Sequence, residues 1–436
     1  MSPPQCMPFP TNTSSSTHKF YISTDILDIM APDQQTQPTW AELLGSNEWK
    51  GLIDPLDLSL RKLILSCGDM SQATYDAFIR DPNSKYCGYG RYGRKSFFHK
   101  VFLPCASDYQ LISFLYATAS IDDDFFDDAI VRPRCPAVPL QRQSNWIGYV
   151  AVTTDEVSKA NGRRDIYVAW RGTVRPIELE VDLHTKLVPA TPLMSGSRRN
   201  DNYHGGHKED AAKVMEGWLT IYTSSNPDSP FPKTSAQTQV LSAITKLMEV
   251  YKHENVSLIF TGHSLGGVLA ALSAFNVVET GVVADHVRVG AFVFGCPKLG
   301  NKVFCDKLKA LQNLRILHVR NVLDLVPNFP VTVPGYEPYA GIELQINSND
   351  SPFLKASLSP WDWHNLQGML HVVAGWNGKG GKFELKVKRS LALVNKSSNF
   401  LKDKYQVPES WWVEKNKGMV LDKDGDWVEA KPFQED

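Results

Sequence analysis

The chain has 436 residues, of which 42% are hydrophobic and 21% charged, and its formal net charge is −1. That is the balance of a globular protein with one large domain and extensions. It offers no global attraction to nucleic acid or to an anionic membrane, and no apolar run reaches the roughly 18–20 residues of a membrane span.

Residues 1–38 are rich in Pro, Ser, Thr and Gln and read as a disordered tail. The tail lacks the charged and apolar regions of a secretory signal. It is Ser/Thr-rich with no acidic residue before Asp25, as in an organelle transit peptide, but it contains no Arg. A cytoplasmic protein is therefore expected, with the chloroplast as the second reading. The seven cysteines, at positions 6, 67, 87, 105, 135, 296 and 305, form no CxxC pair and read as reduced intracellular thiols rather than a disulfide framework. His204 and His207, in HGGH, lack the further ligands a zinc site needs, so a solvated loop is expected there.

Residues 39–145 are expected to form a helical region packed on the core. Leu43, Leu44, Trp49 and Leu52, then Leu60, Leu63, Leu65, Tyr75 and Phe78, have helical spacing, and Pro55 separates two segments. The core is expected over 146–391. Residues 147–155 and 165–172 are β-rich runs around Asn161 and Gly162, the pattern of a hairpin. The stretch 185–213 is polar and irregular, so functional or disordered. A helix is predicted over 234–253, a buried strand over 256–262, an Ala/Leu-rich helix over 265–281, and strands over 287–295 and 313–321. This alternation predicts an α/β fold with a mostly parallel sheet. Residues 392–436 form a Lys-rich C-terminal extension whose Trp411, Trp412 and Trp427 should pack back on the core.

Residues 262–266 read Gly-His-Ser-Leu-Gly, a G-x-S-x-G motif. The motif follows the strand VSLIFT and precedes the helix VLAALSAF. A serine on a strained strand-to-helix turn exposes its hydroxyl above a helix N-terminus, and Gly262 and Gly266 leave room for strand and helix to pass closely. The helix end favours a developing oxyanion. Ser264 is thus the candidate nucleophile. His263 adjoins it in sequence, which places it poorly as a base, and packing beside the turn is expected.

In this arrangement the acid and then the base follow the serine along the chain. Asp324 stands just past the strand RILHVRN. Its rivals are Asp306 in a predicted helix, Asp350 in a polar loop, and Asp362, two residues before a candidate base. His364, on a loop edge, is favoured as base, with His371 as the runner-up. The oxyanion hole needs two donors. The Leu265 N–H supplies one. Thr173, in VAWRGT, is the candidate for the second, with Gly172 allowing close backbone approach.

GHSLGG, WRGT, NVLDLVPNFP and HNLQGMLHVVAG together resemble the class 3 lipases and, more narrowly, the plant phospholipase A1 class II acylhydrolases. WAELLGSNEWKGLIDPLDLSLRKLILSCGDMSQATYDAF, SKYCGYGRYG and LVNKSSNFLKDKYQVPESWWVEKNKGMV extend that resemblance over nearly all the chain beyond residue 38. It implies an α/β-hydrolase fold and a lipid substrate met at a membrane or micelle interface. The implied reaction is hydrolysis of the sn-1 acyl ester of phosphatidylcholine, galactolipids or acylglycerols, with no metal or other cofactor. It maps the triad to Ser264, Asp324 and His364, makes Thr173 an oxyanion-hole residue, and makes 185–213 part of a lid. Where the family often has E-W-x-x-D-L, this chain reads Glu178-Leu179-Glu180-Val181-Asp182-Leu183, which touches lid packing and not the triad. The rival readings are an acyltransferase sharing the acyl-enzyme, a protease or small-ester esterase, and a non-catalytic lipase-like signalling protein. The last usually lacks a triad member, whereas this chain has candidates for all three.

Overall fold

The computed structural model describes residues 37–81, 83–120, 142–173, 185–194, 211–338, 340–412 and 418–431. Its centre is a seven-stranded sheet. In chain order the strands are β1 (Tyr109–Ser120), β2 (Arg142–Thr153), β3 (Arg164–Trp170), β6 (Val256–His263), β7 (Arg288–Phe294), β8 (Leu314–Asn321) and β9 (Ile342–Ile346), and the spatial order is the same. β1, β2 and β3 pair antiparallel, and from β3 to β9 every pair is parallel. Outside the sheet, β4 (Leu187–Pro189) pairs with β5 (Lys213–Met215), and β10 (Met419–Leu421) pairs with β11 (Trp427–Glu429).

Among the described residues, seven helices of seven or more residues surround the sheet: α1 (Leu58–Asp76), α2 (Asp155–Asn161), α3 (Glu216–Thr223), α4 (Ala236–Val250), α5 (Leu265–Glu279), α6 (Lys302–Ala310) and α7 (Leu366–Gly375). Side chains alternate across a strand, so the buried strands feed two cores. Ile166, Val168, Trp170, Leu258, Phe260, Val289 and Ala291 join the core shared with α4 and α5. Tyr167, Ala169, Ile259, Phe292, Phe294, Leu317 and Val319 join the one shared with α1 and α7. Covering both faces is what a parallel sheet requires, and the strand order with its flanking helices is an α/β-hydrolase-like fold.

The sequence expectations need four corrections. First, the sheet starts before residue 146. β1 lies inside the region expected to be helical, and shifts of register at Leu111/Ser113 and Leu115/Tyr116 interrupt the period-two pattern that marks a strand. Second, β2 and β3 are not joined by a hairpin loop. The connection is α2, and Gly162 at φ 65 is its left-handed C-cap. Third, β9 forms the far edge of the sheet, unpredicted because it is only five residues long. Fourth, Cys105 stands in a disulfide, whereas Cys67, Cys87, Cys296 and Cys305 are free buried thiols. Sparse spacing carries no information on which cysteines meet in space. Of the expected lid, 185–194 and 211–213 are described and contribute β4 and the start of β5. Residues 195–210, with HGGH, lie outside the described residues, as do 178–183 and the first 36 residues.

The C-terminal extension packs back through Lys396 and Trp412, whereas Trp427, expected to do the same, is 61% exposed. Lys396 Nζ donates to Asp76 Oδ2 at 2.5 Å and sits 4.2 Å from the centre of the Trp412 ring. Gln72 donates to the other Asp76 oxygen. Both members of the pair are buried. Replacing Lys396 with Met leaves a buried carboxylate with one partner, which costs about 3–5 kcal/mol. Urea unfolding of Lys396→Met measures that loss, and adding Asp76→Asn should recover part of it.

Candidate active site

The parallel strands end level, because Trp170 pairs with Gly262, His263 with Phe294, and Phe294 with Val319. Each chemistry-bearing residue therefore emerges at one edge of the sheet. Ser264 directly follows β6 and is the N-cap of α5, with φ 59 and ψ −130. A non-glycine residue is strained there. The Ser264 N–H donates to Phe294 O at 2.9 Å, which ties the turn to the next strand. A Cβ on Gly262 would stand 2.0 Å from Gly266 O, and one on Gly266 would stand 2.4 Å from Trp170 O. Only glycine fits either position.

Asp324 lies three residues beyond β8. Its Oδ1 accepts from the Val326 N–H at 3.0 Å, and its Oδ2 faces His364 Nδ1 at 2.7 Å. His364 occupies the joint between a helical turn, Pro360–Trp363, and α7. Asn321 at the end of β8 holds that joint by donating to Trp363 O at 2.9 Å. Ser264, Asp324, His364 and Thr173 are all buried. Ser264 Oγ, His364 Nε2 and Thr173 Oγ1 have no hydrogen-bond partner among the described residues. Three unsatisfied polar atoms at one buried edge are a receptacle for polar atoms from outside, because unpaired buried groups are costly.

Thr173 follows β3 in Arg171-Gly172-Thr173. Arg171 is buried, its guanidinium 3.7 Å from the centre of the Phe78 ring, and it donates to Gly172 O and Trp146 O. Burial pushes its pKa down to about 10, which leaves it charged at neutral pH. Leu265 is the first residue of α5, so its N–H is among those a helix leaves free. Oriented donors of this kind can stabilise an oxyanion.

The rival residues stand elsewhere. Asp306 pairs on the surface of α6 with Lys302, Asp350 belongs to a short 3-10 turn, and Asp362 accepts from Ser357. His371, on α7, meets Ser351 Oγ at 2.7 Å and packs against Phe353 and Phe383. With those partners it is a structural histidine, and it makes no contact with Asp324. His263 does pack beside the turn, its ring centre 4.4 Å from that of His364.

Three residues at the site carried no sequence signal of a role there. A Cβ on Gly295, just past β7 at φ 52, would stand 2.8 Å from Asp324 Oδ2 and 2.9 Å from His364 Nδ1. The bare backbone of that residue thus forms the wall behind the pair. The Cys296 N–H donates to His318 Nε2 at 3.0 Å and secures the same turn. Tyr75, at the end of α1, places its hydroxyl 2.8 Å from His263 Nδ1.

The family profile of class 3 lipases matches residues 167–333. Phospholipase A1-IIdelta of Arabidopsis thaliana is 51% identical over 412 residues, which is 92% of this chain and 98% of that protein. Phospholipase A1-II 5 of Oryza sativa subsp. japonica is 48% identical over 405 residues, covering 91% of this chain and 83% of that one. Among solved structures, Lip2 lipase from Yarrowia lipolytica shares 20% identity at a TM-score of 0.41, covering 70% of this chain and 84% of that one. Relatives so similar over nearly their whole length establish that the chain belongs to the phospholipase A1-II family of plant lipases.

Proposed function

We propose that the protein is a phospholipase A1, a serine acylhydrolase that releases the sn-1 acyl chain of glycerophospholipids. The observation that carries the reading is the 2.7 Å contact of Asp324 with His364, on the same sheet edge as the strained Ser264 turn. In a two-step acyl transfer, His364 Nε2 takes the Ser264 proton as Oγ attacks the ester carbonyl. The Leu265 N–H and Thr173 hold the oxyanion. The C–O bond breaks, and the lysophospholipid alcohol leaves with the proton from His364. Water, deprotonated by His364, then attacks the acyl carbon; the bond to Ser264 Oγ breaks, Oγ takes the proton back from His364, and the fatty acid leaves. Asp324 keeps the Nδ1–H tautomer and stabilises the imidazolium.

A lipid substrate fits the surface around the site. Val322 and Leu325 flank Asp324, Leu358 and Trp361 precede His364, and all four are exposed large apolar residues, Leu358 at 91%. Apolar side chains grouped on two loops suit contact with an aggregated lipid surface. Among the described residues no helix is long and apolar enough to cross a membrane. Cytoplasmic residence belongs to the same proposal. Disulfides seldom persist in a reducing compartment, so the one at Cys105 makes localisation of a fluorescent fusion the decisive check.

The test uses phosphatidylcholine carrying distinguishable chains at its two acyl positions. Wild type should free the sn-1 acid, and Ser264→Ala should lower that rate by about 10⁵–10⁶-fold. A wild type that spares phospholipid and cleaves monoacylglycerol would overturn the substrate assignment. A wild type inert on every ester would overturn the hydrolase itself.

A further inference from the structure

We propose that Tyr75, at the end of α1, is a positioning residue that fixes the catalytic base through His263. The tyrosine hydroxyl lies 2.8 Å from His263 Nδ1, and His263 Nε2 lies 2.8 Å from the backbone carbonyl of His364. Carbonyl oxygen only accepts, so Nε2 must carry the proton and donate. In a neutral ring Nδ1 is then an acceptor, and Tyr75 must be the donor to it. The hydrogen-bond directions along Tyr75, His263 and His364 are fully determined.

Neutrality of His263 follows from its surroundings. The ring is buried, with its centre 4.4 Å from that of the tilted His364 ring; burial first, and then the charge His364 can carry, hold its pKa well below 6.5. A charged His263 would oppose the imidazolium that His364 becomes during the reaction. A neutral ring fixed in the Nε2–H tautomer anchors His364 without that conflict.

The chain matters because His364 is in neither of the helices around it. Its N–H donates to Pro360 O, closing the preceding turn, and α7 begins two residues later, capped by Asn365. Between them the His364 carbonyl takes its donor from His263. Gly172 also borders this arrangement. A Cβ there would stand 2.2 Å from the Tyr75 hydroxyl and 2.4 Å from His263 O. Tyr75 is thus wedged between the strand end that leads to Thr173 and the histidine that holds the base. Its neighbour Asp76 ties the same end of α1 to Lys396. The N-terminal region therefore completes the active site.

The proposal rests on His364 serving as base to Ser264. The Ser264→Ala comparison tests that separately, so either idea can fail alone. Tyr75→Phe keeps the ring and removes the donor. Misplacing a reacting group slightly costs about ten- to a hundredfold, and kcat should fall by that factor while KM stays within about twofold and Tm within a few degrees. His263→Gln and His263→Asn divide the chain. The glutamine amide can still donate to His364 O, whereas the asparagine amide can meet Tyr75 and is too short for His364. His263→Gln should keep at least about tenfold more kcat than His263→Asn. Wild-type kcat in Tyr75→Phe, or equal losses in Gln and Asn at 263, would overturn the proposal. The 263 pair keeps the question open to refutation even if Tyr75→Phe folds poorly.

Discussion

Asp324→Asn is expected to lower kcat by about 10⁴-fold with KM and fold nearly unchanged. The reason lies in the partners of the two carboxylate oxygens. Oδ1 accepts from the Val326 N–H, and Oδ2 faces His364 Nδ1. An asparagine keeps the first contact by turning its carbonyl to Val326, which points its NH₂ at His364. Nδ1 must then accept, the ring proton moves to Nε2, and the atom that should take the Ser264 proton no longer has a lone pair. Burial of both groups keeps water from restoring the original tautomer. Steady-state kinetics on a phospholipid or a soluble ester measure the loss. A kcat within tenfold of wild type would remove Asp324 from the reaction. The double variant Asp324→Asn/Ser264→Ala should be no worse than Ser264→Ala, because residues that act as a unit are not additive.

Acid should destabilise the protein well before it protonates ordinary surface carboxylates. Burial is the main cause that lowers the pKa values of three histidines: His318 to about 3, His371 to about 4, and His263 well below 6.5. Arg320 adds to the effect at His318, Arg389 at His371, and His364 at His263. The sign follows from proton counting. Unfolded, each takes a proton as pH drops below about 6.5; folded, each resists until its depressed pKa is reached. The unfolded state binds more protons throughout that window, so stability falls with pH. At pH 5 the loss is about 2 kcal/mol for His371, a substantial share of the roughly 5–15 kcal/mol that holds a domain together. Asp76 and Asp165, raised by burial, act in the opposite direction. A difference measurement removes them. His371→Gln retains a donor for Ser351 and cannot be protonated, so between pH 7.5 and pH 5 it should lose about 2 kcal/mol less than wild type in urea unfolding. Equal losses would mean that His371 is protonated in the folded protein.

Local sequence determined much of this protein. The strands at 256–263, 288–294 and 314–321 and the helices at 236–250 and 265–279 follow from runs of buried apolar residues and from helical spacing, which are properties of neighbours in the chain. The Ser264 turn is local too, because Gly262 and Gly266 are required by atoms within four residues of it or at the end of the adjacent strand. Chain order and strand ends were enough to point to Asp324.

Tertiary structure decided the rest. His364 and His371 read alike in sequence; one meets Asp324 and the other Ser351, and only the packing of α7 and its preceding turn separates them. Register shifts interrupt the alternation along β1, and only its pairing with β2 reveals it as a strand. Tyr75 reads as an apolar helix residue until α1 is laid across the sheet, where its hydroxyl meets a histidine 188 positions away. Gly295 shows its purpose only when Asp324 and His364 arrive behind it. A pattern along the chain records what each residue needs from its neighbours, such as burial, period or a tight turn. Which polar atom meets which across the fold depends on how the cores pack.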